Sequence, residues 1–124
     1  MGVKKAKVDS NFWLGKKVFL TGHTGFKGSW LSLWLQEMGA ITKGYSLNVN
    51  TVPSLFIQAK VEKNMISEIG DIRDLKKLTK SITSFSPDIL IHMAAQPIVR
   101  LSYTDPVNTY TTNLIGTVNI FEAA

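Results

Sequence analysis

The chain has 124 residues, 44% apolar and 19% charged, with no cysteine and a formal net charge of +5. That length admits one domain, whose folding hides about two-thirds of the surface the unfolded chain exposes. Disulfides and thiolate metal sites are excluded, and no apolar run approaches the ~20 residues of a membrane-spanning helix.

Residues 1–11, with Lys4, Lys5 and Lys7, read as a flexible basic tail with no apolar signal core behind it. No basic stripe interleaved with aromatics follows, so nucleic acid and membrane are not expected partners, and the cytoplasm is the expected location. A first strand is expected over about Lys17 to Thr21, then a glycine-rich turn. A helix follows from about Phe26 to Met38, with Phe26, Trp30, Leu33, Trp34 and Met38 as its apolar face, Leu31 and Leu35 widening it, and Gly39 as its stop. Trp30 and Trp34, four apart, read as core residues. Strand two is expected at about Ile41 to Ser46, a loop through Asn48, Asn50 and Pro53, and strand three near Met65 to Gly70.

In the second helix Leu75, Leu78, Ile82 and Phe85 share one face, Asp74 sits at the start and Ser86-Pro87 at the end. Ile89 to Met93 is a short apolar run of the kind buried on both faces of a parallel sheet. The last helix opens with Asp105 as N-cap and Pro106 at its first position; Val107, Tyr110, Leu114, Val118 and Phe121 form its apolar stripe. Alternating strands and helices predict an α/β, Rossmann-like doubly wound parallel sheet of order 3-2-1-4. The ligand crevice then lies between strands one and four at their carboxyl ends. The helical pattern is still running at Ala124, so residues 12–124 read as the N-terminal part of a dinucleotide-binding domain in a longer enzyme.

The run Thr21-Gly22-His23-Thr24-Gly25-Phe26-Lys27-Gly28 carries the chemistry. Gly22 is expected to turn the chain sharply, Gly25 to let the backbone approach a diphosphate, and Gly28 to bring helix and sheet close. The free N–H groups of the helix's first turn would then meet the anion. A Walker A loop is excluded, because Lys27 precedes Gly28 instead of following it. The acid expected at the end of strand two for the adenosine ribose is missing from Gly44-Tyr45-Ser46-Leu47. Ser46 can make one hydrogen bond there, and Lys43 is the nearest cation to hold a 2′-phosphate. NAD is therefore the expected cofactor over NADP, bound weakly.

Asp71 has two readings: acceptor for the adenine amino group with Ile72 packing on the ring, or cap of the second helix. His23 in the loop reads either way between contact with cofactor or substrate and none, and Arg100 between a phosphate partner and a surface cation. Gln96 and Arg100 face the region where substrate would meet the nicotinamide. His92, inside an apolar strand, reads as structural. The two histidines lie far apart without clustered carboxylates, so no metal site is expected.

These residues resemble the extended short-chain dehydrogenase/reductase family. GHTGFKGSWL, GYSL and HMAAQPIVRLSYTDPVNTYTTNLIGTVNIFEAA are similar to the CDP-glucose 4,6-dehydratases within it. The resemblance implies hydride transfer from C4 of the glucose ring to NAD, loss of water across C5 and C6, and return of the hydride to C6. That gives a deoxysugar precursor for surface polysaccharide such as lipopolysaccharide. By position it assigns Gly22, Gly25, Phe26, Lys27 and Gly28 to the phosphates, Asp71 and Ile72 to adenine, Ala94, Ala95 and Gln96 to the cofactor's central wall, and Asn113 to the helix after strand four. It also implies CDP-glucose as partner and a homo-oligomeric parent. The family's Tyr-x-x-x-Lys pair is absent: Tyr103 and Tyr110 have no Lys four residues on. No catalytic residue is therefore assigned, and this polypeptide alone is expected to be inactive. The alternatives are another sugar-nucleotide epimerase or decarboxylase of the family, or a non-catalytic dinucleotide sensor.

Overall fold

The computed structural model describes residues 9–49, 54–95 and 99–124. Four parallel strands, β1 (Lys17–Thr21), β2 (Ile41–Ser46), β3 (Ile66–Ile69) and β4 (Ile89–His92), pair in the order β3-β2-β1-β4. In register, Leu20 lies beside Gly44 and Ile91, and Thr21 beside Tyr45 and His92. All strand ends therefore emerge on one side, where β1 and β4 part toward different helices.

Successive side chains of β1 point to opposite faces, which builds two cores. Val18 packs with Leu35 and Met38, flanked by Trp13, Leu31 and Ile91. Phe19 packs on the other face with Tyr45, Ile72, Leu78, Ile82, Phe85 and Ile120. The first face is covered by α2 (Phe26–Glu37) and by α1 (Ser10–Trp13), a single turn capped by Asp9. This turn straddles the boundary expected at residue 11. The second face is covered by α4 (Leu75–Phe85) and α7 (Gly116–Ala123).

Several expected loops hold short helices. After β2 come α3 (Leu55–Gln58) and a 3₁₀ turn (Val61–Asn64), which tuck Phe56 and Val61 beside α2; Gln36 Nε2 donates to Val61 O at 2.9 Å. After β4 come α5 (Val99–Thr104) and α6 (Pro106–Tyr110), then a π-helical turn (Thr111–Ile115) leading into α7. Asp105 caps α6 as expected, accepting from Asn108 N at 3.1 Å. Asp74 caps α4, accepting from Lys77 N at 3.1 Å, so the cap is Asp74 and not Asp71.

Both expected apolar stripes are corrected. Phe26, Trp30 and Trp34 are 71%, 56% and 52% exposed, so Trp30 and Trp34 are not core residues. Leu35 and Met38 of the expected face are buried, and Gly28, Ser29 and Ser32 make up the rest of the inward side. Small residues let the helix axis approach the sheet. The serine hydroxyls are buried at no cost because each is paired: Ser29 donates to His23 O at 2.9 Å and Ser32 to Gly28 O at 2.7 Å. Val107, Tyr110, Leu114, Val118 and Phe121 are likewise exposed, while Gly116, Asn119, Ile120 and Ala123 face inward. A Cβ on Gly116 would stand 2.4 Å from Ile72 Cδ1, so the close approach of α7 depends on glycine there. Among the described residues no helix is long and apolar enough to cross a membrane.

The corrected face of α2 has a measurable consequence. Leu35→Ala should cost about 2–5 kcal/mol of unfolding free energy, because a fully buried side chain is deleted. Trp34→Ala should cost less than about 1 kcal/mol despite the larger side chain, because half of it is exposed. Denaturant unfolding of the two variants checks the order, and equal losses would restore the tryptophan face to the core.

Candidate functional site

The turn between β1 and α2 is shaped by three crowded glycines. Gly22 has φ +80°, and a Cβ there would lie 2.8 Å from Ala94 N and Met93 C, so the turn sits directly on the chain leaving β4. At Gly28 a Cβ would lie 2.0 Å from Gly22 O. The first turn of α2 therefore rests on the loop's own backbone, where the sequence suggested the sheet. At Gly44 in β2 a Cβ would lie 2.2 Å from His23 Cγ.

Gly25 differs. It is exposed, and among the described residues a Cβ there would meet nothing nearer than Gly22 O at 3.5 Å, an ordinary contact. It caps α2 without any side-chain hydrogen bond, and the first turn holds no acidic residue. The amide end of a 12-residue helix is thus left with its positive partial charge facing open space at the mouth of the sheet. An anion satisfies such an end, and bare backbone at Gly25 lets it approach. Phe26 and Lys27, both exposed, contribute main-chain N–H groups to the same turn.

His23 does not line this mouth. It is fully buried, its Nε2 is 2.7 Å from Ser67 Oγ, and its ring stands edge-on to Phe56 at 5.4 Å. Among the described residues its Nδ1 has no partner, and burial holds the imidazole neutral, its pKa pushed down to about 4. It therefore wedges the loop against Gly44, which corrects its expected contact with a cofactor. Ile72 is corrected in the same sense: its side chain is only 4% exposed and packs in the core under Gly116, so it offers no face to an adenine ring.

Asp71 stands at the end of β3 with its carboxylate gripped by Arg73, whose Nε lies 3.0 and 2.9 Å from the two oxygens and Nη2 2.6 Å from Oδ2. This fork holds the Asp71 carboxyl below the usual carboxylate range. Arg73 Nη1 also donates to Asn108 Oδ1 at 3.1 Å, tying the β3 end to α6. Ser46, at the tip of β2, is joined to Thr24 Oγ1 at 2.8 Å.

The β4 side is held by a second hydroxyl. Thr21 Oγ1 accepts from Met93 N at 3.0 Å and Ala94 N at 3.1 Å. Its proton then goes to His92 Nδ1 at 2.7 Å, which leaves Nε2–H to donate to Thr117 Oγ1 at 3.1 Å. Thr117 in turn donates to Asn113 O at 2.5 Å. One chain of hydrogen bonds thus links the β1 tip, the backbone at Ala94 and the π turn carrying Asn113, and gives His92 the structural role expected of it. Ala94 is half-buried and Ala95 exposed beside this wall. Arg100 is exposed on α5, and Gln96 lies outside the described residues. Among the described residues no three His, Cys, Asp or Glu are grouped to hold a metal.

Thr21, Thr24, Ser67 and Arg73 are site-building residues that the sequence reading missed. The two threonines alternate with the loop's glycines, and Arg73 follows Asp71 by two, a spacing that suits a turn-closing ion pair. Ser67 left no local signal, since its contact spans 44 residues.

The neutral His23 makes stability pH-dependent. The unfolded imidazole titrates near 6.5 and the folded one near 4, so protons favour the unfolded chain between those values. The stability it contributes is complete above pH 6.5 and is lost as pH falls toward 4. At about 1.4 kcal/mol per unit the loss is roughly 2–3 kcal/mol. Denaturant melts at pH 7 and pH 4.5 should show a smaller drop for His23→Gln than for the parent, whereas equal drops would refute a buried neutral ring.

Residues 19–124 match the family described as GDP-mannose 4,6 dehydratase. The chain is 64% identical over 115 residues to a CDP-glucose 4,6-dehydratase of Salmonella typhimurium strain LT2, covering 93% of the chain and 32% of that protein. It is 30% identical to a GDP-mannose 4,6-dehydratase of Vibrio cholerae, covering 87% of the chain and 31% of that protein. Among solved structures it superposes on the Thermus thermophilus UDP-glucose 4-epimerase in complex with NAD with a TM-score of 0.74 at 30% identity, covering 86% of the chain and 33% of the epimerase. The chain thus spans about a third of the length of the curated relatives it matches.

Proposed function

Because the chain belongs to the GDP-mannose 4,6-dehydratase family, we propose that residues 12–124 are the NAD-binding part of a longer sugar-nucleotide 4,6-dehydratase acting on CDP-glucose. The observation that carries the reading is Gly25: among the described residues no contact requires glycine there, while the uncapped, acid-free start of α2 is left to an outside anion. NAD, when bound, accepts and returns a hydride. In this reading the N–H groups of Phe26, Lys27 and Gly28 donate to its diphosphate, with Gly22 and Ala94 closing the floor. Asp71, oriented by Arg73, accepts from the adenine amino group. Ser46 receives the adenosine ribose. Ala95 and Asn113 flank the nicotinamide half and Arg100 faces the sugar nucleotide, while Gln96, outside the described residues, is assigned by resemblance alone.

The specific choice of CDP-glucose is supported by the 64% identity to the Salmonella enzyme, twice that to the GDP-mannose enzyme. The cytoplasm is the setting this reading implies. Acid–base chemistry on the sugar is assigned to no residue here, since neither Tyr103 nor Tyr110 is followed by Lys at the fourth position. This polypeptide is therefore expected to bind NAD without turning over CDP-glucose.

Calorimetric titration tests the cradle. Gly25→Ala should weaken NAD binding at least about tenfold, because the added methyl stands where the diphosphate must approach. The same change should alter unfolding free energy by less than about 1 kcal/mol, because nothing of the protein occupies that space. Undiminished affinity in the variant would remove the diphosphate from this loop.

A further inference from the structure

We propose that the outer face of α2 is a self-complementary surface, on which a second copy of this chain packs its own α2 antiparallel across a two-fold axis. The face lies opposite the glycine and serine side that rests on the sheet. Its exposed members are Phe26, Lys27, Trp30, Trp34 and Glu37, at spacings that repeat along one side of a helix. Lys27, Trp30, Trp34 and Glu37 line one groove. Phe12, half-exposed, continues the apolar surface beside Trp34. A contiguous aromatic patch of this kind, bounded by charges, marks a surface built for contact.

Three observations choose a second copy as the occupant. First, the face is palindromic in its chemistry about Ser32. Trp30 and Trp34 stand symmetrically about that residue, and so do Lys27 and Glu37, which carry opposite charges. A two-fold axis at Ser32 therefore sets Lys27 against Glu37 of the second copy and Trp30 against Trp34 of the second copy, each contact made twice. A parallel arrangement would instead set lysine on lysine and glutamate on glutamate. Second, both charges stand at the wrong end of their own helix. The amide end favours acids and the carbonyl end bases, yet Lys27 is in the first turn of α2 and Glu37 is its last residue. They lie about 15 Å apart along that helix, too far to pair with each other. Among the described residues neither has an ion-pair partner. In the antiparallel pair each charge lies beside the opposite end of the neighbouring helix, which it suits. Third, the area is sufficient. Phe12, Phe26, Trp30 and Trp34 are each at least half exposed. With roughly 150–250 Å² for a whole aromatic side chain, they and the two charged stems bury about 1,000 Å² over both copies. That is the lower bound of a specific interface, so the dimer is reversible, with a dissociation constant in the micromolar range.

Sedimentation equilibrium of the ligand-free chain over about 1–300 μM tests this. The parent should show a monomer–dimer equilibrium. Lys27→Glu and Glu37→Lys each set like charges opposite one another twice, so each should raise the dissociation constant at least about tenfold. Mixed in equal amounts, the two variants should form a heterodimer about as tight as the parent dimer, because every contact again joins opposite charges. The double variant Lys27→Glu/Glu37→Lys should recover self-association for the same reason. Rescue of one variant by the other cannot come from misfolding. Trp34→Ala should weaken association at least about tenfold, as the loss of a central aromatic anchor does. A parent that stays monomeric throughout overturns the inference and leaves the face to a further chain segment or a different protein. A dimer indifferent to Glu37→Lys and Trp34→Ala overturns it as well, since association then uses another face, such as the exposed stripe on α6 and α7. Absence of rescue in the mixture refutes the antiparallel register.

Discussion

The contact between the loop after β1 and the backbone around it is the constraint on which the site depends. Gly22 presses on Ala94, Gly28 on the Gly22 carbonyl, and the neighbouring Gly44 on the His23 ring, each at a distance no Cβ would permit. These approaches bring the start of α2, the end of β1 and the chain leaving β4 to one point. A rigid mouth results, with amides aimed outward, and little side-chain mass is needed to build it. Among the described residues Gly25 is the one glycine of the loop whose space no neighbouring group fills.

Around this mouth, polar side chains act by the direction of their protons. Thr21 takes two backbone N–H groups and gives its own proton to His92, which fixes the imidazole tautomer and passes the order on to Thr117 and the Asn113 carbonyl. Arg73 uses its planar fork to orient Asp71 and reaches Asn108 with its remaining arm. Carbonyl oxygens and N–H groups at the ends of these chains leave each hydroxyl one choice, so orientations follow although hydrogens themselves are not seen. His23 stands apart from this network. It is held neutral by burial and serves the loop as a wedge against Gly44 and Phe56.

The expected apolar stripes on the first and last helices show where periodicity misleads. On α2 the large side chains, Trp30 and Trp34, lie outward, and the face against the sheet is glycine and serine. On α7 glycine and asparagine play the same part against Ile72 and its carbonyl, to which Asn119 Nδ2 donates at 2.9 Å. Hydrophobic periodicity identifies a helix correctly, but it assigns the inward face by size. Close helix–sheet contact rewards smallness instead, provided each buried hydroxyl or amide finds a partner. By contrast α4 has Leu78, Ile82 and Phe85 inward, as its pattern predicts, while Leu75 at its first position is 38% exposed.

The amino-acid order by itself determined the four strands, the sheet order, the cap of α6 and the glycine loop, and left the cap of α4 open. Those depend on local signals: runs of apolar residues, Asp or Pro at helix starts, glycines at fixed spacing. The family resemblance was likewise legible in contiguous motifs. Only the tertiary structure decided that His23 and Ile72 turn into the core, that Arg73 grips Asp71, that Lys43 is committed to Glu68 and Ser81, and that Ser46 pairs with Thr24. Most of these outcomes pair residues far apart along the chain. In all of them burial and the supply of donors and acceptors in folded space set the result, and only the Asp71–Arg73 pair, two residues apart, has a local spacing that suits its contact.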